Sequence, residues 1–544
     1  MDANFLLIDY IIMFTYIIAI AIFGAMFSKK QNTTKDYFLG GRSIPWWAVG
    51  LSVMATQASA ITFIGAPGWG YDGGLESITT YLNVPLVMAF LIVTLVPFFY
   101  RTEVQTVYEF LEKRFDIKTR TLTAVLFLVA RGLATGVVVY TPALVLSVVT
   151  GIDVNIMIIL MAVIGVAYTV MGGVSAVVWT DVIQMFVLWA GAALALWVMV
   201  DTIPGGFSGA LALAGDEGML QSLDLSLDLS KEYSLLAGLV GGLFMHLAYF
   251  GADQSQIQRV LTSKSLKESR MSLMVSGIFI FPQMMLFLFI GIMLFSFYNY
   301  TGDPGLDDLN ELFPLFVVNE LPAGISGLII AGVFAAAMSS LDSALNSLSA
   351  VSVRDLYRRF YKPDASEAHY LKASRWATLF WGLYATVFTF FAGNLGPVIE
   401  VINQIGSYFY GALFGVFILA IFIRRTTGTG AFIGIITGMI IVWTTEQLTD
   451  ISYLYNNVIG TFVSIGVGWA ASLTGKKPTK EQLQILSALE EDKNVQARLK
   501  KRADNAEKPD TETDSEAHQP YKWVLMLLGY FILTLLILLW FQSL

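Results

Sequence analysis

The stretch FAAAMSSLDSALNS, residues 334–347, sets four serines, an asparagine and an aspartate within eleven positions of an otherwise apolar run. At helical spacing Ser339, Asp342, Ser343 and Asn346 fall at i, i+3, i+4 and i+7, on one face. Ser340 and Ser347 flank that face. A charge in hydrocarbon costs on the order of 3 kcal/mol, so Asp342 should face the protein interior. Hydroxyl, carboxylate and carbonyl oxygens are hard ligands suited to an alkali cation. Serines alone also serve as small residues that let helices approach closely. The carboxylate tips the balance towards a weak sodium site, and weakness is useful where a coupled ion must also leave.

A second polar interruption lies over 46–70, in IPWWAVGLSVMATQASAITFIGAPGWG. Thr56, Gln57, Ser59 and Thr62 occupy its middle, and Gly65, Pro67, Gly68 and Gly70 follow. Proline and glycine loosen the helical hydrogen-bond ladder. At membrane depth, freed carbonyls persist only where protein or a water-lined cavity satisfies them. Two readings stand: a kinked helix packed through small residues, or an unwound segment whose carbonyls hold a cation. A third interruption, GGLFMHLAYFGADQSQIQR, carries His246, Gly251 and Asp253. Discontinuous helices at corresponding places in two halves point to a transporter's midplane site.

The elements that must position these residues are membrane helices. The chain has 544 residues, is 56% hydrophobic and only 14% charged, with mean hydropathy +0.66. Soluble domains carry about 25% charged residues. Apolar blocks of about 20 residues indicate an all-α polytopic protein, not a barrel of short alternating segments. About fourteen helices are expected, near 5–27, 46–70, 75–99, 120–150, 153–171, 176–201, 234–262, 270–300, 322–352, 371–393, 396–424, 429–447, 453–474 and 521–541. The first lacks a basic leader and reads as a retained span. With the N-terminus outside, the cytoplasmic loops and helix ends hold 31 of the 33 Lys and Arg. Only Arg131 and Lys231 fall elsewhere. Both termini are therefore expected to be extracytoplasmic, in a plasma (inner) membrane protein.

The expected organisation is a leading helix and loop (1–45), a first repeat (46–201), an extracellular loop (202–233), an inverted second repeat (234–424), trailing helices (425–474), a polar cytoplasmic linker (475–520) and a last span (521–544). The linker contains a short amphipathic candidate helix, and its remainder has the composition of disorder. There is no cysteine, and three histidines make a His-rich metal site improbable. Net charge −8 provides no basic face for nucleic acid. Neither an enzyme nor an obligate protein partner is indicated; the expected partners are the bilayer, sodium ions and a small solute.

In order along the chain, DYFLGGRSIPWWAVGLSVMATQASAITFIG, TVYEFLEKRF, MGGVSAVVWTDVIQMF, QIQRVLTSKS and GLIIAGVFAAAMSSLDSALNS resemble the sodium:solute symporter family. That family includes bacterial sugar, sialic acid, proline and pantothenate carriers and animal glucose, iodide and monocarboxylate carriers. The resemblance implies a LeuT-like core of five-plus-five inverted repeats with one leading and three trailing helices. It implies a sodium site in which Ala55, Ala58 and Ala336 supply carbonyls and Ser339 and Ser340 supply hydroxyls. Some members hold a second sodium, which here would use Asp181, Ser339, Asp342 and Ser343. Asp342 departs from the Ser or Thr usual there. Two carboxylates at one site raise one pKa, so a proton is the alternative second ion. Asp181 has its own alternative, as a cap or ion-pair partner near a helix end.

By the same resemblance, Thr62, Thr80, Tyr81, His246 and Asn403 are substrate candidates, with Tyr249 and Phe250 as aromatic gates. The glutamate and lysine that sugar carriers use on the third and eighth spans are missing, which weakens a sugar reading. Arg131 lies about one turn from the arginine that holds the substrate carboxylate in sialic acid carriers. A guanidinium forks well onto a carboxylate; Arg131 also suits an ion pair with Glu400 or another internal acid. His246 reads either as a hydrogen-bonded core residue or as a substrate ligand. Glu400 and Asn403, at i and i+3, share a face. The function expected is sodium-coupled import of a sugar or an organic anion such as a sialic or monocarboxylic acid. The alternative is a solute sensor or ion-conducting channel of the same fold.

Overall fold

The structure is a computed structural model that describes the chain apart from residues 1–4, 28–32, 58–59, 103, 304, 307, 393–397, 487–511 and 544. Among the described residues there is no β-strand, only two isolated bridges. Ten helices among the described residues are long and apolar enough to cross a membrane, and an eleventh arises if the bent pair Trp46–Gln57 and Thr62–Gly73 is one span. The segments expected at 153–171, 234–262 and 371–393 are helical too. The first two appear as the shorter apolar helices Val154–Val166 and Ala237–Ala252, and the third as Glu367–Ala392. Gly173, at φ +59° and ψ −175°, breaks the run Val154–Thr202 between two expected spans. Only glycine enters that region without strain.

The broken helix bends by 54° between its halves. Thr62 Oγ1 donates to the Gln57 carbonyl across the break at 2.7 Å, so the side chain satisfies an oxygen that the interrupted ladder has freed. The glycines beyond Pro67 serve close packing. A Cβ on Gly70 would meet the backbone of Leu288, and one on Gly291 the backbone of Pro67 and Gly70. These two glycines let the second half lie directly on the long helix Leu266–Thr301.

The third interruption is also real. Leu243–Ala252 stops at Asp253, whose backbone is extended, and Gln254–Val260 restarts beyond it. Asp253 caps the restart by accepting from the Ser255 amide at 2.7 Å and its hydroxyl at 2.6 Å. The short second half ties distant motifs together. Gln254 accepts from the Val107 amide at 2.9 Å, and Gln258 donates to the Phe38 carbonyl at 2.7 Å.

The hydroxyl-rich helix Ile325–Val351 packs on both halves of the broken helix and on the leading helix Leu7–Met26. Asp9 of the leading helix accepts from the Gly324 and Gly327 amides at 2.6 and 2.9 Å, a carboxylate at the positive end of a helix dipole. In the linker, Thr479 and Gln482 form a capping box on the short helix Lys480–Gln484; most of the expected amphipathic segment lies outside the described residues.

Candidate functional site

A cavity opens where the two breaks meet the hydroxyl-rich helix. Thr56, Gln57 and Thr62 of the broken helix line it, with Tyr81, Arg131, His246, Tyr249, Ser340, Asn403 and Tyr410. Six of the nine substrate candidates are thus brought together around one of the sodium candidates. Thr80 and Phe250 do not line the cavity. The Thr80 carbonyl accepts from Asn83 Nδ2 at 2.7 Å, and the buried Thr80 hydroxyl has no partner among the described residues. Phe250 stands behind the wall, stacked on His246 at 6.0 Å and edge-on to Tyr249 at 5.0 Å. In this structure it supports two lining rings. The Glu400 side chain and the whole of Ala58 lie outside the described residues.

The hydroxyls of Ser339 and Ser340 are buried and have no hydrogen-bond partner among the described residues. Several helical serines of this chain donate back to a carbonyl one turn earlier, as Ser343 does to Ser339 at 2.8 Å. An orphaned buried hydroxyl costs free energy unless something meets it. Ala55 and Ala336 are buried on the same two packed helices. This donor set, all oxygen and all neutral, fits a sodium ion. Among the described residues no group of three or more His, Cys, Asp or Glu could hold a metal ion.

The other three second-ion residues, Asp181, Asp342 and Ser343, have side-chain partners. Asp181 and Asp342 are both buried, but the structure gives them separate partners. Asp181 accepts a short hydrogen bond from the Ser52 hydroxyl and lies 3.6 Å from Arg259 Nη2. Asp342 accepts a short hydrogen bond from the Thr169 hydroxyl. Ser343 receives a short hydrogen bond from Arg259 Nη2. Arg259 was grouped by sequence with the cytoplasmic charges, yet it is 2% exposed. Its Nε donates to Ser52 at 2.9 Å and its Nη1 to the Ser255 carbonyl at 3.2 Å. Asp181 thus pairs with Arg259 through Oδ2, while its Oδ1 has no hydrogen-bond partner among the described residues.

Arg131 has found its internal acid, and it is Asp253. Nη1 lies 3.8 Å from Asp253 Oδ2, which also accepts from the Tyr410 hydroxyl at 3.0 Å. One carboxylate oxygen therefore caps a helix and the other anchors the cavity's cation. Arg131 Nε and Asn403 Nδ2 remain without partners among the described residues. Tyr410 and Gln57 line the cavity although sequence did not single them out as substrate groups. Their spacing supplied a signal: Tyr410 is two helical turns beyond Asn403, and Gln57 borders the break.

The sodium:solute symporter family profile matches residues 37–438. The chain belongs to that family. It is 31% identical over 473 residues to the sodium/sialic acid symporter SiaT of Proteus mirabilis, covering 86% of this chain and 95% of that one. Similarity extends to the sodium/glucose cotransporter of Vibrio parahaemolyticus, 31% identical and covering 79% and 84% of the two chains. It extends also to human sodium-coupled monocarboxylate transporter 1, at 30% identity and 80% and 73% coverage. The structure of a substrate-bound, outward-open Na+-coupled sialic acid symporter superposes with a TM-score of 0.81, at 29% identity over 88% of this chain and 100% of that one. The nucleobase-cation symporter Mhp1, at 12% identity and TM-score 0.53, shares the fold. The chain is thus a multi-span member of a sodium-dependent symporter family, and not an enzyme.

Proposed function

We propose that this symporter imports a small organic anion together with sodium by alternating access. The carrying observation is the cavity itself, where the unpartnered hydroxyl of Ser340 stands with the unpartnered donors of Arg131 and Asn403, and the unpartnered hydroxyl of Ser339 is its neighbour in the chain. Sodium is held by those hydroxyls with the carbonyls of Ala55, Ala58 and Ala336. The solute's carboxylate lies against Arg131 and Asn403. A guanidinium that keeps donors free in a buried cavity favours an anion over a neutral sugar. Relatives that carry sialic acid and monocarboxylates support this reading, and the glucose relative supports the sugar reading that ranks second.

The fourteen-span, inverted-repeat arrangement with both termini outside is part of the proposal. It rests on the one-sided distribution of Lys and Arg and on the two interrupted helices. Inward sodium entry supplies about 2.3 kcal/mol per 100 mV. For an uncharged solute one ion would support roughly fifty-fold accumulation before any concentration term; one sodium carried with one monovalent anion moves no net charge, so the sodium concentration gradient alone drives that accumulation. Of the residues suggested for a second ion, Asp181, Asp342 and Ser343 are engaged with Ser52, Thr169 and Arg259, and Ser339 is already assigned to the first ion, so one sodium at the break is the simpler coupling.

The test is the sodium dependence of uptake in Ser339→Ala and Ser340→Ala. Each should raise the sodium concentration for half-maximal uptake by about tenfold, as expected for one lost ligand, with folded protein recovered. Wild-type sodium dependence in both variants would remove the assignment.

A further inference from the structure

We infer that His246 selects the solute as a hydrogen-bond acceptor, its Nε2 lone pair taking a hydroxyl or N–H proton while Arg131 holds the anionic end. The inference deepens the anion-carrier reading and rests on it for the solute's charged end. The role of the histidine stands on separate geometry.

That geometry starts at Asn83. Its Nδ2 lies 2.7 Å from the Thr80 carbonyl and 2.8 Å from the Gly238 carbonyl. Only the NH2 end of an amide can face two carbonyl oxygens, so the neighbours fix which way Asn83 points. Its Oδ1, which can only accept, then faces His246 Nδ1 at 2.9 Å. Nδ1 must therefore carry a proton. In a neutral imidazole the other nitrogen is a bare acceptor. The ring is 1% exposed, its fixed partner is a neutral amide, and Arg131 already supplies a cation to the same cavity. All three favour the neutral ring.

Nε2 has no partner among the described residues. The ring cannot easily swing to find one, because Tyr81 lies against it at 5.3 Å and Phe250 stacks on it at 6.0 Å. A buried acceptor without a donor is costly, and a ligand that brings the donor recovers that cost. A carboxylate cannot serve there, since two acceptors would face each other. The cavity therefore has a sense of direction: carboxylate towards Arg131 and Asn403, donor towards His246. The solute class it fits is a carboxylate that also carries a hydroxyl or amide donor. A plain alkanoate leaves Nε2 unpaired.

Two readouts on the full chain test this. The protein has three histidines, so His369→Gln with His518→Gln leaves His246 as the sole imidazole. Nitrogen-15 NMR of that histidine in nanodiscs should show a protonated Nδ1 and an unprotonated Nε2; the opposite tautomer, or protonation of both nitrogens at neutral pH, overturns the inference. In proteoliposomes with a sodium gradient, uptake of hydroxylated carboxylates (N-acetylneuraminate, gluconate, lactate) should include at least one that exceeds propionate by about tenfold or more. His246→Phe should erase that gap, and His246→Gln, whose amide oxygen can accept, should keep part of it. An equal gap in His246→Phe, or no gap in the wild type, overturns the inference. Failure to take up any carboxylate contradicts the anion-carrier reading instead, and the tautomer readout still decides the histidine.

Discussion

At the scale of single residues, two charges define the cavity's chemistry. Arg131 is anchored by Asp253 and Tyr410, and Asp253 also caps the restarted helix. Breaking a buried pair leaves an uncompensated charge, at roughly 3–5 kcal/mol. Arg131→Gln and Asp253→Asn should each lower stability and abolish accumulation of an anion. The double variant should be less damaging to stability than the sum of the two, with a coupling of about 1–3 kcal/mol. Thermal unfolding in detergent measures this, and strict additivity would show the two residues to be independent. The hydroxyl stripe was legible in sequence because its period is local. The partner of Arg131 was not, because nothing in composition or spacing says which internal acid lies across the bundle. Arg259 illustrates the same limit: counting charges near a span end places it in the interface, whereas its guanidinium turns inward to Ser52, Ser343 and Asp181.

At the scale of elements, the charged residues outside the cavity hold helix ends. Arg114 is fully buried, and its guanidinium donates to the carbonyls of Ala420, Ile423, Arg424 and Thr426 at 2.9–3.3 Å. It thereby closes the C-terminal end of Val398–Phe422, the helix that brings Asn403 and Tyr410 to the cavity. Helix-end carbonyls need such partners. Arg114→Ala should cost on the order of 2–3 kcal/mol and lower the unfolding temperature; an unchanged temperature would show that water replaces the guanidinium freely. Nearby, Glu112 receives Arg120 at 2.6 Å and Arg359 at 2.9 Å. Burial raises its carboxyl pKa, but those hydrogen bonds and charges outweigh it and hold the group below its ordinary value. A depressed carboxyl contributes stability above its unfolded value, which is lost as pH falls through the folded one. Glu112→Gln should therefore flatten the acid limb of stability below about pH 4.5, as read by unfolding temperature against pH. The helix breaks were visible in the polar residues that interrupt the apolar runs, Thr56, Gln57 and Thr62 in one and Asp253 in the other, whereas Gly65, Pro67, Gly68 and Gly70 lie inside the helix Ala60–Gly73. The binding of distant motifs by Gln254–Val260 was not, since its partners are separated by more than a hundred residues.

At the scale of the whole molecule, the claim is orientation and direction. The chain lacks cysteine, so single introduced cysteines report sidedness without background. Ser230→Cys, in the loop before the interrupted helix Leu243–Ala252, should react with an impermeant maleimide on intact cells. Asp364→Cys, between the hydroxyl-rich helix and Glu367–Ala392, should react only after permeabilisation; the reverse pattern would invert the topology proposed from the distribution of Lys and Arg. The most direct measurement is uptake of radiolabelled N-acetylneuraminate, lactate, galactose, glucose, proline and pantothenate into proteoliposomes under inward gradients of sodium, potassium or protons. The account predicts accumulation of a carboxylate driven by sodium alone, with the sodium requirement weakened in Ser340→Ala. Accumulation driven by protons without sodium, or binding of a solute with no accumulation under any gradient, would contradict it.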